Sequence, residues 1–175
     1  MLWAACTTAF FGFCRIGEVT VLSLTTFDPT THLTPQDIAI DNRMDPSLIG
    51  IHLKVSKTDQ ERKGITIFIG KTGDAICPIA ALTAYLAIRR QSTGPLFQFK
   101  DSTPLTKDRF THHVRTALST LGYDSATYAG HSFLIGAATT AAEHGIEHST
   151  IKALGRWKSD AFQAYIKIPR SKLQL

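Results

Sequence analysis

Cysteine is scarce in this 175-residue chain: Cys6, Cys14 and Cys77 are the whole set, and no two of them make a CxxC pair. An odd, unclustered set excludes a complete disulfide framework and fits small core residues in a reducing compartment. No GxGxxG and no GxxxxGK[ST] stretch occurs, which removes the usual dinucleotide and nucleoside-triphosphate sites, and no GxSxG elbow offers a serine nucleophile. Long apolar runs are also missing apart from the opening MLWAACTTAFFGFC, residues 1–14. It has no Lys or Arg before it and is shorter than the roughly 18 residues of a membrane span, so it reads as a buried helix and no membrane partner is expected. A helix apolar on all sides needs neighbours around it, as expected if the sequence is a piece of a longer chain. Metal signals are weak. His144 and His148 stand four apart, but Gly145 between them ends the helix that would align them, and the adjacent His112 and His113 read as surface decoration. No metal and no cofactor are expected.

What is present is the composition of one globular domain over residues 1–175: 43% hydrophobic and 19% charged residues, with twelve glycines and seven prolines scattered through it. Nineteen Lys and Arg against fourteen Asp and Glu give a net charge of +5, which suits a polyanionic partner without identifying it. Residues 15–22 read as a helical turn or two, and 27–35 as a loop punctuated by Asp28-Pro29 and Thr34-Pro35. Ile49, Ile51, Leu53 and Val55 alternate with Gly50, His52, Lys54 and Ser56, and Ile65, Ile67 and Ile69 repeat the period, so a hairpin with the polar tip KTDQERKG is expected. A short strand is expected at 37–40. The rest is helical: from Pro78 to near Arg89-Arg90, from a Thr106 cap to Gly122, from Ser132 to Gly145, up to Leu154 with Gly155 as a stop, and from Ser159 through Lys167. The fold class is therefore α+β, mainly helical, with one small antiparallel β-sheet.

Several separated words remain: CRIGEV with Arg15 and Glu18, VSKT with Lys57, GHSFLIGAATTAA with His131, LGRW with Trp157, and AFQAYI with Tyr165. In this order, from about residue 3 to Pro169, they resemble the catalytic domain of tyrosine recombinases, the phage-integrase family. The wording is nearest that of eukaryotic mobile elements. The combination of GHSF, LGRW and the tyrosine is specific, whereas Arg15 and Lys57 would be weak alone. Two departures stand out. Leu134 occupies the position three residues after His131 where the family carries its second arginine, and the family's separate DNA-gripping helical domain is not within these residues. Trp157 also precedes Tyr165 by one residue fewer than in many bacterial relatives.

The resemblance implies DNA strand breaking and rejoining with no cofactor: Tyr165 as nucleophile on a phosphodiester, Arg15 stabilising phosphate charge, His131 moving a proton, Lys57 protonating the leaving 5′ oxygen and Trp157 donating its indole N–H. Glu18 is expected to orient Arg15. Leu134 marks a lost catalytic position, so activity is expected to be weak or absent. Lys54, Arg62, Lys63, Arg115 and Lys158 are candidate phosphate contacts on double-stranded DNA. A homo-oligomer, such as a tetramer on DNA exchanging C-terminal segments, and location in the nucleus follow from the same resemblance. Two alternatives stay open: a catalytically inactive, mobile-element-derived DNA-binding domain, and a helical interaction module without nucleic acid, which would scatter its basic residues.

Overall fold

The computed structural model describes residues 1–55, 63–89 and 91–167. The opening apolar run folds as helix α1 (Leu2–Phe11), which packs between α3 (Pro78–Ile88) on one side and α5 (Ser132–Glu143) on the other. Ala4, Ala5 and Ala9 are buried in these contacts, while Trp3 stays half exposed at 53%, so the neighbours that so apolar a helix requires come mostly from this chain itself. The small side chains of α5 let the two helices approach closely. A Cβ on Gly136 would stand 3.4 Å from the Phe10 ring.

A three-stranded antiparallel sheet in the order β1 (Ile38–Ile40), β2 (Leu48–Leu53), β3 (Ile65–Gly70) covers the other part of the core. The register pairs Ile49 with Ile69, Ile51 with Ile67 and Leu53 with Ile65, so the residues that alternate in sequence share one face. Burial fades along β3 from Ile69, at 4% exposure, to Ile65, at 41%. The expected strand at 37–40 begins one residue later, because Asp37 closes a 3₁₀ turn (Pro35–Asp37) by accepting hydrogen bonds from the Thr34 N–H and hydroxyl, both at 2.8 Å. Most of the expected hairpin tip, including Lys57 and Arg62, and also Arg90, lie outside the described residues.

The second helical stretch is shorter than its sequence suggests. Helix α2 (Ile16–Val19) stops where Thr20 turns extended, and Val21 then pairs with the segment before α4 (Lys107–Thr120): its N–H donates to Leu105 at 3.1 Å and its carbonyl accepts from Lys107 at 3.1 Å. Thr106 caps α4 by accepting from the Arg109 N–H. Helix α6 (His148–Leu154) ends at Gly155, but the left-handed residue is Arg156, with φ 59°. The last expected helix is a 3₁₀ segment, Asp160–Tyr165, capped by Ser159. Two cores result. The larger gathers α1, the sheet, α3 and Phe110 of α4; the smaller gathers Phe13, Leu134, Ala137, Ala138, Ile151 and Phe162. No helix among the described residues is long and apolar enough to cross a membrane.

The link between the cores is the tight turn after α1. Gly12 leaves no room for a side chain: a Cβ there would sit 2.7 Å from the Thr8 carbonyl and 2.8 Å from Ile67. Gly12→Ala is expected to lower unfolding free energy by about 1–3 kcal/mol through overpacking at this turn, read as an earlier urea midpoint with unchanged slope.

Candidate active site

Arg15 and Glu18 are placed by local helix chemistry. Arg15 is the N-cap of α2 and Glu18 its third residue, so the carboxylate folds back and accepts the Arg15 backbone N–H at 2.9 Å. The same carboxylate meets the Arg15 guanidinium at 3.4 Å. The spacing of two residues between them is therefore the spacing of a capped helical start.

A second arginine reaches this carboxylate from far along the chain. Arg156 donates through Nη2 to Glu18 Oε2 at 2.7 Å and to the Phe13 carbonyl at 2.9 Å, and through Nη1 to the carbonyls of Gly12 and Leu154 at 3.3 and 3.2 Å. Both members of this pair are nearly enclosed, at 5% and 6% side-chain exposure, and Arg156 Nε has no hydrogen-bond partner. The guanidinium thus pins the turn that precedes Arg15. Cys14 lies against it, and burial pushes the thiol up to about 12 despite the opposing Arg156 cation, so it stays protonated core.

His131 comes to Arg15 through a close approach of backbone. A Cβ on Gly130 would stand 2.4 Å from Ile16 Cγ2, so only glycine lets the start of α5 press against α2. His131 is the exposed N-cap of α5, and Ser132 Oγ accepts from the Ala129 N–H at 3.0 Å. Between α2, α4 and this loop runs a cleft of about 790 Å³ that both Arg15 and His131 line. Its far wall is one face of α4, with Lys107, Asp108, Thr111, His112, Arg115 and Thr116.

Trp157 and Tyr165 form a separate pair. The Trp157 ring lies over Gly155, where a Cβ would come within 1.6 Å of it, and its centroid is 5.2 Å from that of Tyr165. Both are half-buried against the smaller core and neither lines the cleft. The Tyr165 carbonyl accepts from the Thr139 hydroxyl at 3.2 Å, which fastens the 3₁₀ segment to α5. Leu134 is fully buried in that core and does not line the cleft.

The structure thus brings Arg15, Glu18 and His131 together, sets Trp157 beside Tyr165, and joins the two groups through Arg156. Of the candidate phosphate contacts, Lys54 is engaged internally: its ammonium pairs with Asp37 at 2.6 Å and donates to the carbonyls of Pro29 and His32. Arg115 lines the cleft but donates through Nε to the Tyr128 carbonyl at 2.7 Å. Lys63 and Lys158 are exposed. The adjacent histidines differ in setting: His112 is exposed and lines the cleft, whereas His113 is half-buried with its ring 5.7 Å from Phe99, so surface decoration does not describe His113. Sequence reasoning missed Lys107 and His112, although positions 107, 108, 111, 112, 115 and 116 form a polar stripe at helical spacing. Among the described residues no group of three His, Cys, Asp or Glu could hold a metal.

Two substitutions test this arrangement. Arg156→Met leaves a buried carboxylate and three carbonyls short of a partner and should cost about 3–5 kcal/mol in chemical denaturation, part of it regained in the Arg156→Met/Glu18→Gln double variant. Leu134→Arg drives a guanidinium into the smaller core and should lower stability by several kcal/mol. An unchanged melting temperature for either variant would contradict the packing described.

No protein-family model matches the chain. Over 122 residues it is 33% identical to the integrase/recombinase XerD homolog of Selenomonas ruminantium, an alignment covering 66% of this chain and 36% of that protein. The fold is similar to that of the XerH site-specific recombinase solved in a pre-cleavage complex with its difH substrate, with a TM-score of 0.64, 13% identity, and coverage of 98% of this chain and 44% of that one. It is similar also to the XerA recombinase, with a TM-score of 0.60, 15% identity, and coverage of 99% and 59%. The Tn1549 transposon integrase in complex with circular intermediate DNA gives a TM-score of 0.60 at 13% identity, over 98% and 57%. The chain spans about a third of the curated relative's length and less than two thirds of these solved chains. The α+β architecture is that of tyrosine recombinase catalytic domains, and in sequence the chain is similar to an integrase/recombinase over two thirds of its own length.

Proposed function

We propose that the chain carries the catalytic part of a DNA breaking-and-rejoining enzyme that works through a 3′-phosphotyrosyl intermediate. The observation that carries this reading is the joint placement of Arg15 and His131 on one cleft, with Glu18 holding Arg15 and, through Arg156, tied to the turn that presents Trp157 and Tyr165. Support comes from the relatives, one of them solved with its substrate in a pre-cleavage complex and another with circular intermediate DNA.

On this reading a phosphate of duplex DNA enters the cleft and its non-bridging oxygens meet Arg15. The Tyr165 oxygen forms a bond to phosphorus as the bond to the 5′ oxygen breaks. The phenolic proton leaves through His131, and the departing 5′ oxygen takes a proton from Lys57. One phosphoester bond replaces another, so rejoining is the same step reversed and needs no nucleotide cofactor. The Tyr165 ring packs on Trp157 outside the cleft lining, so attack involves a movement of the 3₁₀ segment that carries it.

A second reading is favoured by one specific observation. Leu134 is buried and gives the cleft no cation, and an arginine contact in phosphoryl transfer is worth roughly 10³–10⁵ in rate. A chain that binds DNA and cleaves it slowly or not at all fits that burial. The word GHSFLIGAATTAA supports an origin in a eukaryotic mobile element, and with it action in the nucleus, as part of the same proposal.

A nicked duplex that traps the covalent product separates the two readings. Wild type is expected to form a covalent complex that Tyr165→Phe abolishes with its melting temperature retained, because the hydroxyl alone is lost. Duplex binding without any complex would select the second reading, and a complex that persists in Tyr165→Phe would move the nucleophile to Tyr128 or Tyr123. Affinity for duplex should also fall steeply as salt rises, since phosphate contacts release counterions. A flat salt response in a binding titration would exclude nucleic acid as the partner.

A further inference from the structure

With Leu134 enclosed in the smaller core, the cleft has to draw any second cation from elsewhere. Among the described residues its basic side chains besides Arg15 are Lys107, His112, Arg115 and His131. Arg115 donates to the Tyr128 carbonyl and stays half-buried. Arg15 shares the Glu18 carboxylate. Lys107 differs from both: it is exposed, and among the described residues its ammonium pairs with no carboxylate. Asp108, the next residue on α4, also lines the cleft, and it makes no ion pair with Lys107.

Three features fix Lys107 relative to Arg15. Its backbone N–H donates to the Val21 carbonyl at 3.1 Å, and Val21 follows Thr20, the C-cap of the short helix that Arg15 begins, so main-chain hydrogen bonds set the two residues in one register. Its side chain reaches Gly130, the residue before His131: Cε stands 3.6 Å from where a Cβ on Gly130 would be. Finally, Lys107 is the first residue of a helix of 14 residues, whose dipole adds positive potential for an anion at this end.

We infer that Lys107 supplies the second cation of this cleft and binds the same phosphate as Arg15, in the role that Leu134 leaves unfilled. This rests on the reading of the cleft as a phosphate site. A lysine ammonium acts as a point charge rather than a fork, so it would hold the phosphate by charge and leave orientation to Arg15.

Two arms test it on the 175-residue chain. In the first, inorganic phosphate is titrated while the Gly130 and His131 amide resonances are followed. Wild type is expected to show saturable shifts there, Lys107→Gln to weaken binding about fivefold to tenfold, Lys107→Arg to retain it, and Lys100→Gln, an exposed lysine away from the cleft, to match wild type. If Lys107→Gln titrates like Lys100→Gln, or phosphate leaves the cleft amides unmoved, the inference fails. In the second arm, the trapped covalent complex on nicked duplex should form at least 100-fold more slowly in Lys107→Gln, with melting temperature unchanged and rescue by Lys107→Arg. Lys107-dependent phosphate binding without a covalent complex in any variant would sink strand cleavage and leave the phosphate site standing. A covalent complex indifferent to Lys107 would do the reverse.

Discussion

The buried carboxylate of Glu18 between two guanidinium groups is the interaction on which the rest of the site depends. A charge at 6% exposure is tolerated only when paired and hydrogen-bonded, and Glu18 answers both demands with Arg15 from its own turn and Arg156 from the far end of the chain. One negative and two positive charges leave a net positive charge, and Arg15 carries it to the cleft wall. The network therefore holds Arg15 in place without neutralising it, which is what a site for phosphate requires. It also fixes topology, because Arg156 binds the carbonyls of Gly12 and Phe13 and so closes the chain's last third onto its first turn.

The motif words acquire steric meanings from the same closure. In GHSF the glycine is needed because Ile16 lies where its Cβ would be, and that contact sets His131 across from Arg15. In LGRW the glycine lies under the Trp157 ring and the arginine turns back to Glu18. A short string thus encodes the close approaches around a site as much as the groups that act in it. Leu134 can be understood in these terms: the start of α5 presents His131 outward to the cleft and Leu134 inward to Phe13, Ile151 and Phe162. One helix faces the site with its N-cap and the core with its third residue.

Much of this was legible in the sequence where the physics is local. Alternating isoleucines gave the sheet its buried face, and the Thr106 cap and the left-handed Gly122 and Gly145 mark helix ends that composition alone suggests. What escaped was set by partners distant in sequence. Lys54 reads as a free cation until the fold brings Asp37 within 2.6 Å of it, and Arg156 reads as part of a word until its buried ion pair is seen. The polar stripe on α4 was visible as a pattern, but which of its residues matter depends on the Val21 pairing that docks α4 beside α2.

On the proposed reading, that docking bears on how the cleft can hold a phosphate with leucine rather than arginine at position 134. A side chain that turns into the core lets the core close around it, as Leu134 shows with no exposed surface left. Restoring an arginine there would set desolvation of a guanidinium against any contact it regained, so reversal at the same position is physically blocked. A cation on the opposite wall meets no such barrier, because Lys107 sits on an exposed helix start whose backbone is already fixed by Val21. Electrostatic stabilisation of a phosphate depends on charge and distance rather than on which element supplies the charge. A second cation for the proposed phosphate site is therefore to be sought on the wall facing the cleft, and not at position 134.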